Sequence, residues 1–173
     1  PEKRISTIEI RGDEKTPAHS YQQMVAKIEG LPYKSEIIGP SLQIFKSRQI
    51  AEAKDRGIAV EDSIYKGTSV ADTLIDVVSG VLCWDDLGQP IITTSGLIAL
   101  GNCPDQVPEV LRDLPTSPGD IDLELTTPTG AALLEYFWQD SKLTGDPVKT
   151  VYSPGDFSKA GIINELYAEL YSD

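Results

Sequence analysis

The sequence predicts a mixed α/β fold in which helices pack on a small sheet. The 173-residue chain is 40% hydrophobic and 24% charged, which is typical of a globular protein with a sizeable core. Segments with helical periodicity are interspersed with short segments of alternating periodicity, as mixed layer folds require. Because no repeat or low-complexity linker interrupts the chain, we expect residues 1–173 to form one domain. This domain is either a whole protein or a fragment of a longer one.

The first half of the chain predicts one strand and three helices. Apolar and polar residues alternate over residues 4–10, which predicts a strand. Apolar residues recur at helical spacing in three segments, and each segment is followed by a glycine that signals its end. These predicted helices span residues 19–29, 41–56 and 69–87.

The second half of the chain predicts shorter elements. Strands are expected at residues 91–94, 97–100 and 122–126, where β-branched or alternating residues cluster. Helices are expected at residues 104–111 and 131–139. The alternating tail that contains Leu166, Ala168 and Leu170 fits a strand or a helix.

Charge and cysteine content limit the classes of partner. The net charge of −12 repels phosphate backbones, so no nucleic-acid partner is expected. The same charge favours the binding of cations, or simply keeps the protein soluble. No apolar run approaches the roughly 20 residues that span a membrane, and no signal-like segment begins the chain. Cys83 and Cys103 form no disulfide framework and are better explained as structural residues than as ligands. We therefore expect a cytoplasmic protein without membrane contact.

Residues 127–130 form the most informative local pattern. Thr127 is suited to cap a helix, and Pro128 fits its first position. The amides of Thr129, Gly130 and Ala131 would then point at the end of the preceding strand and create an anion site. An ordinary capped helix explains the same pattern.

Asp72 and Asp76 are the second candidate, because they lie four residues apart on one helical face. Like charges in this relation destabilise a helix unless a cation or solvent compensates them. Asp72 also follows Ser69 by three residues, so it is suited to a capping box at the helix start. His19 is the only histidine, and one imidazole does not build a nickel or zinc site.

Residues 119–134, GDIDLELTTPTGAALL, are similar to a segment of the LarC-type nickel-insertion proteins, which complete the nickel-pincer cofactor of lactate racemase. Residues 72–80, DTLIDVVSG, and the segments His19-Ser-Tyr and Ile28-Glu-Gly-Leu-Pro resemble further blocks of that family. Their order and spacing agree, so the resemblance covers most of residues 19–134 and, more loosely, the tail at residues 152–172.

This resemblance implies a CTP-dependent nickel chelatase, or one subunit of it. The family inserts nickel into a pyridinium bis-thiocarboxylate mononucleotide, forms a nickel–carbon bond and consumes CTP with a divalent cation. The implied site residues form two groups: Thr127, Thr129 and Gly130 would bind a phosphate, and Asp72, Asp76 and Glu124 would hold or relay a cation, with Asp72 and Asp76 catalytic.

The chain departs from the family where metal ligands are expected. Ile64, Tyr65, Lys66 and Gly67 stand in place of the family's His-Phe-His-Glu, which removes its borderline-soft ligands. The family's Ser-Gly-Asp-Met element and its C-terminal domain have no counterpart in this sequence, which implies a separately encoded partner carrying that domain. The alternative is a non-catalytic paralogue that binds a nucleotide-like ligand or a partner protein. Homo-oligomerisation stays open.

Overall fold

The computed structural model describes residues 13, 15–66, 69–119, 121–154 and 165–171. It divides the chain into two compact units, residues 1–139 and residues 140–173. The expectation of a single domain over residues 1–173 stays a prediction. The strand predicted at residues 4–10 lies outside the described residues.

The described elements confirm the mixed α/β class. The helices are α1 (Tyr21–Glu29), α2 (Ser35–Asp55), α3 (Ser69–Asp86), α4 (Gln106–Val110) and α5 (Pro128–Phe137), with a 3-10 turn at Val60–Asp62. The strands are β1 (His19–Ser20), β2 (Ile64–Tyr65), β3 (Ile98–Ala99), β4 (Thr116–Ser117), β5 (Lys149–Pro154) and β6 (Glu165–Leu170). They form three two-stranded sheets, of which β1–β2 and β5–β6 are antiparallel and β3–β4 is parallel.

Helix α2 begins earlier than the sequence predicts. Pro40 suggests a helix boundary, because proline lacks a backbone donor and disfavours the helical conformation of its predecessor. The helix nevertheless starts at Ser35 and continues through Pro40. Ile37 in this additional turn is buried in the core beside α3 and α5, so tertiary packing outweighs the local penalty.

The core of residues 1–139 is built mainly between helices. One buried cluster joins α2, α3 and α5 through Ile37, Ile44, Val77, Val78, Val81, Ala132 and Phe137. A second joins α1, α2, β2 and α3 through Met24, Ile28, Phe45, Tyr65, Val70 and Leu74. A third surrounds α4 and the outer side of α5 through Val107, Leu111, Leu114 and Ala131. Helix α5 therefore lies between two clusters.

Helices α3 and α5 run in the same direction where they pack. A β-carbon at Gly80 would lie 2.9 Å from Leu133 Cδ2, so the two helices approach closely there. One turn further along α3, the ring of Trp84 packs on Phe137 with centroids 5.3 Å apart. Since the contacts advance together along both helices, the first turn of α5 lies at the level of residues 75–78, in the middle of α3.

Two predicted strands are wrong. Residues 91–94 contribute only an isolated bridge between Ile92 and Trp138, and residues 122–126 contribute only a bridge between Glu124 and Gly101. Gly101 has a φ of +62° and turns the chain immediately after β3, so residues 122–126 find no continuous partner strand. Local alternation predicts an extended chain but not the partner that a strand needs.

Residues 140–173 contain the β5–β6 ribbon. Tyr152 and Tyr167 face each other across it, with stacked rings whose centroids lie 6.2 Å apart. The tail that fits either a strand or a helix is therefore a strand at Glu165–Leu170. In the part of the chain that the structure describes, no helix is long and apolar enough to cross a membrane.

Candidate functional site

The start of α5 forms as the sequence predicts. Thr127 has extended backbone angles, and its Oγ1 accepts a hydrogen bond of 3.1 Å from the amide of Gly130. Pro128 occupies the first helical position. The amide of Ala131 donates to the carbonyl of Thr127 at 2.9 Å. The amides of Gly130 and Ala131, which the sequence suggested for binding an anion, are thus bonded within the helix. Of the three suggested amides, that of Thr129 takes no part in these two bonds.

Thr129 is held from α2 by Arg48. The Nε of Arg48 donates a hydrogen bond of 3.1 Å to Thr129 Oγ1, between residues 81 positions apart in the sequence. The Arg48 side chain is only 15% exposed, so this contact is mostly shielded from solvent. A guanidinium charge therefore lies directly at the first turn of α5.

Arg48 also connects to the segment that replaces the family's metal-ligand tetrad. Its Nη1 donates to Glu52 Oε2 at 2.7 Å, and it contacts Tyr65 Oη at 3.4 Å. The guanidinium carbon lies 5.6 Å from the centroid of the Tyr65 ring, which is a cation–π arrangement. Burial raises the pKa of Tyr65 far above its ordinary value, so the phenol stays protonated.

The strand pair β1–β2 brings the family-like segment His19-Ser-Tyr next to Tyr65. His19 is paired with Tyr65, and Ser20 with Ile64. Ser20 also begins α1 with a complete capping box to Gln23. His19 and Ser20 thus pair with Tyr65 and Ile64, and Arg48 contacts both Tyr65 and Thr129, although these segments are far apart in the sequence.

Asp76 lies on α3 at the level where α5 begins, and Asp72 lies one turn before it. Asp76 precedes Gly80 by one turn, as Thr129 precedes Leu133, so both lie at the same level of the packed helices. Asp76 is an exposed residue overall. Partial burial of its carboxyl group nevertheless raises the pKa of that group, and the negative charge of Asp72 raises the pKa further.

The capping box expected for Asp72 does not form with Ser69. Ser69 is already inside α3, and its hydroxyl bonds the backbone of Lys66. Asp72 remains in the first turn of the helix, where its charge favours the helix dipole.

Glu124 lies in a different environment from Asp76. Burial raises the pKa of the Cys103 thiol, and the charges of Glu124 and Asp105 raise it further. Cys103 is therefore protonated near neutral pH and presents a weak ligand. Among the residues that the structure describes, no group of three or more His, Cys, Asp or Glu side chains could hold a metal ion.

The remaining candidates have ordinary surroundings. His19 Nδ1 lies 2.7 Å from the carbonyl oxygen of Pro17, so the ring closes a local turn. Cys83 is exposed on α3, which corrects the expectation of a buried, apolar role.

Sequence reasoning missed Arg48 and Tyr65 as residues of this site. The only local signal for Arg48 was Glu52 at the i+4 position, which predicts an ordinary pair on the helix surface. The contact with Thr129 depends on how α2 packs against α5, and no spacing within the sequence reveals it.

The comparisons with known proteins find relatives whose names refer to nickel insertion. A pyridinium-3,5-bisthiocarboxylic acid mononucleotide nickel insertion protein of Staphylococcus saprophyticus is 34% identical over 106 residues, covering 55% of this chain and 27% of the relative. A protein of Cyanothece sp. (strain PCC 7425), whose name assigns it provisionally to nickel insertion, is 35% identical over 132 residues, covering 68% and 32%.

The chain spans about a third of the length of the curated relatives that it matches. No solved structure matches it. The family model described as "Nickel insertion protein" matches residues 2–168, nearly the whole sequence. This chain therefore belongs to the nickel insertion protein family.

Proposed function

We propose that this chain binds a pyridinium-3,5-bisthiocarboxylic acid mononucleotide and takes part in inserting nickel into it. Family membership and the names of the relatives support this substrate. The observation that carries the proposal is that Arg48 bonds Thr129, in a block that resembles the family, and also Tyr65, in the segment that stands in place of its metal-ligand tetrad. Nickel is a substrate in this proposal, and the chain contributes binding and transfer groups.

The phosphate of the mononucleotide binds at the start of α5. The hydroxyls of Thr127 and Thr129, the backbone at Gly130 and the positive end of the helix dipole favour a phosphate there. Because the Gly130 amide is bonded to Thr127, side-chain hydroxyls contribute more than amides. Arg48 supplies positive charge in a chain whose net charge is −12.

Asp72 and Asp76 relay nickel to the substrate. Two carboxylates are weak, hard ligands for nickel, whereas the thiocarboxylate sulfurs of the substrate are soft and bind it more strongly. Transfer from the oxygen ligands to sulfur is therefore favourable. Glu124 is the third carboxylate of the proposed cation path.

Asp76 also accepts a proton. The nickel–carbon bond forms at the ring carbon between the two thiocarboxylates, where a carbon–hydrogen bond breaks. Its electron pair forms the bond to nickel, and the proton passes to the carboxylate of Asp76. A raised pKa makes Asp76 a better base than an ordinary aspartate.

A partner protein that carries the family's C-terminal domain handles CTP and its divalent cation. The described part of this chain presents no group of three or more cation-ligating side chains, so it does not fit a resident metal–nucleotide site.

Isothermal titration calorimetry tests the proposal on the whole chain. We expect the mononucleotide to bind, and Thr129→Val to weaken it. We expect nickel to bind more weakly to Asp76→Asn than to the unsubstituted protein. Asp113→Asn is the matched control, because Asp113 is 86% exposed and paired with Arg112. Equal losses in Asp76→Asn and Asp113→Asn would mean that nickel binds the acidic surface in general.

One observation favours a second candidate, the non-catalytic paralogue. The tetrad positions hold Ile64, Tyr65 and Lys66, and Tyr65 is buried against Phe45 rather than available for a metal. Mononucleotide binding without any specific nickel binding would support the paralogue. If the chain binds neither the mononucleotide nor nickel, the proposed role in nickel insertion is overturned and a protein-binding role is left.

A further inference from the structure

We infer that Arg48 is a positioning residue that turns the hydroxyl of Thr129 into a hydrogen-bond donor for the substrate phosphate. This inference rests on the proposed function, because the phosphate is that of the proposed mononucleotide. It adds a residue and a direction of hydrogen bonding that neither the sequence pattern nor the comparisons assign.

The donor direction follows from the bond that Thr129 already makes. A threonine hydroxyl carries one proton and two acceptor lone pairs. Arg48 has no acceptor, so at the Nε–Oγ1 distance of 3.1 Å Arg48 must donate and Thr129 must accept. The hydroxyl proton then points away from the guanidinium. A phosphate oxygen that reaches this proton accepts a hydrogen bond from it.

The orientation of Arg48 is set by groups on two other sides. Glu52 accepts from Nη1 at 2.7 Å, and Gln49, which is buried, accepts from the same nitrogen at 3.0 Å. The guanidinium carbon lies 5.6 Å from the centroid of the Tyr65 ring. A planar fork held by these partners has little freedom, so Nε stays aimed at Thr129.

Lysine cannot reproduce this arrangement. Its ammonium group is a single centre and does not present Nε and Nη1 to two acceptors in a fixed plane. Arg48→Lys therefore keeps the charge beside Glu52 but releases the hydroxyl of Thr129. This separates the positioning role from the simple presence of positive charge.

A double-mutant cycle on the whole chain tests the inference. The probes are pyridinium-3,5-bisthiocarboxylic acid mononucleotide and the corresponding nucleoside, which lacks the phosphate. We expect Arg48→Lys and Thr129→Val each to weaken mononucleotide binding about tenfold, the loss of one hydrogen bond to a charged group. The double variant should lose little more than either single variant. Nucleoside affinity should stay within about twofold throughout, and Thr129→Ser should restore mononucleotide affinity.

The outcomes separate this inference from the proposed function. If the unsubstituted chain binds neither probe, both fail. If it binds the mononucleotide but Arg48→Lys leaves that affinity unchanged, or weakens both probes equally, the positioning role is overturned and the proposed function stands. Urea unfolding of each variant shows whether it is folded. Should Arg48→Lys fail to fold, Arg48→Met takes its place in the cycle, and additive losses with Thr129→Val would overturn the positioning role.

Discussion

Gly101 and Leu123 approach so closely that a β-carbon on Gly101 would lie 2.0 Å from the carbonyl oxygen of Leu123. The contact is between backbones, since the amide of Asn102 donates to that carbonyl at 2.7 Å. Gly101 also has a φ of +62°, a conformation that side chains disfavour. This contact fixes the segment that carries Glu124 and leads into the start of α5.

Gly101→Ala should therefore destabilise the protein strongly. The positive φ contributes about 1–2 kcal/mol, and the overlap with a backbone atom adds about 1–3 kcal/mol. Gly57→Ala is the matched control, because Gly57 has a φ of +61° but nothing within 4 Å of its added β-carbon. Urea unfolding should show the larger loss in free energy of unfolding for Gly101→Ala. Equal losses would show that the close approach to Leu123 is absent in solution.

The sequence predicts local features of the fold better than contacts between distant segments. The helix start at Thr127 and the capped helix at Ser20 follow from residues three or four positions apart, so local chemistry determines them. The strand predicted at residues 122–126 depends on a partner strand, and only the short turn around Gly101 pairs with this segment. Sequence patterns therefore predict caps better than pairings.

The residues of the candidate site also differ in how well the sequence predicts them. Local spacing identifies Thr127 at the start of α5 and the pair Asp72 and Asp76 on α3. The role of Arg48 requires the packing of α2 on α5, which places its Nε against Thr129. Long-range contacts of this kind carry no signal in a single sequence.

Asp76→Asn should stabilise the protein at neutral pH. Burial and the charge of Asp72 raise the pKa of Asp76 in the folded state above its ordinary value of 3.8. The native state then binds the proton more tightly than the unfolded state, so the free energy of unfolding falls as pH rises through the interval between the two pKa values. Removing the charge should raise the free energy of unfolding at pH 7 by about 0.2–0.5 kcal/mol, the size of an i,i+4 repulsion.

Two comparisons check this assignment. The stabilisation should disappear at pH values below 3.8, where Asp76 is protonated in both states. Asp72→Asn should give no comparable gain, because it removes the same repulsion but also a favourable charge in the first turn of α3. Urea unfolding measured at several pH values gives both results. A gain from Asp76→Asn that persists at low pH would contradict the charge-based explanation.

Thr127→Ala should destabilise α5 by about 1 kcal/mol, the usual effect of losing a side-chain cap. The hydroxyl of Thr127 accepts from the Gly130 amide at 3.1 Å, and alanine leaves that amide to solvent. Thr127→Ser retains the acceptor and should keep most of the stability. Thermal unfolding followed by circular dichroism compares the two variants. A serine variant as unstable as the alanine variant would show that the methyl group, rather than the cap, matters.

Ser41→Ala should stabilise the protein by about 1 kcal/mol. Ser41 is fully buried in α2, and among the described residues its Oγ finds no hydrogen-bond partner. A buried hydroxyl without a partner destabilises the folded state by about 1–3 kcal/mol on mutational scales, and alanine also favours the helix. Ser47→Ala in the same helix is the matched control, because Ser47 Oγ donates to Glu135 at 3.3 Å.

The two serine variants should differ in urea unfolding because only one of them loses a bond. For Ser47→Ala, loss of the hydrogen bond offsets the gain in helix propensity, so the free energy of unfolding should stay within about 0.5 kcal/mol of the unsubstituted protein. A decrease in stability for Ser41→Ala would mean that its hydroxyl has a partner in solution, and α2 would then tolerate Pro40 through that bond as well as through the burial of Ile37.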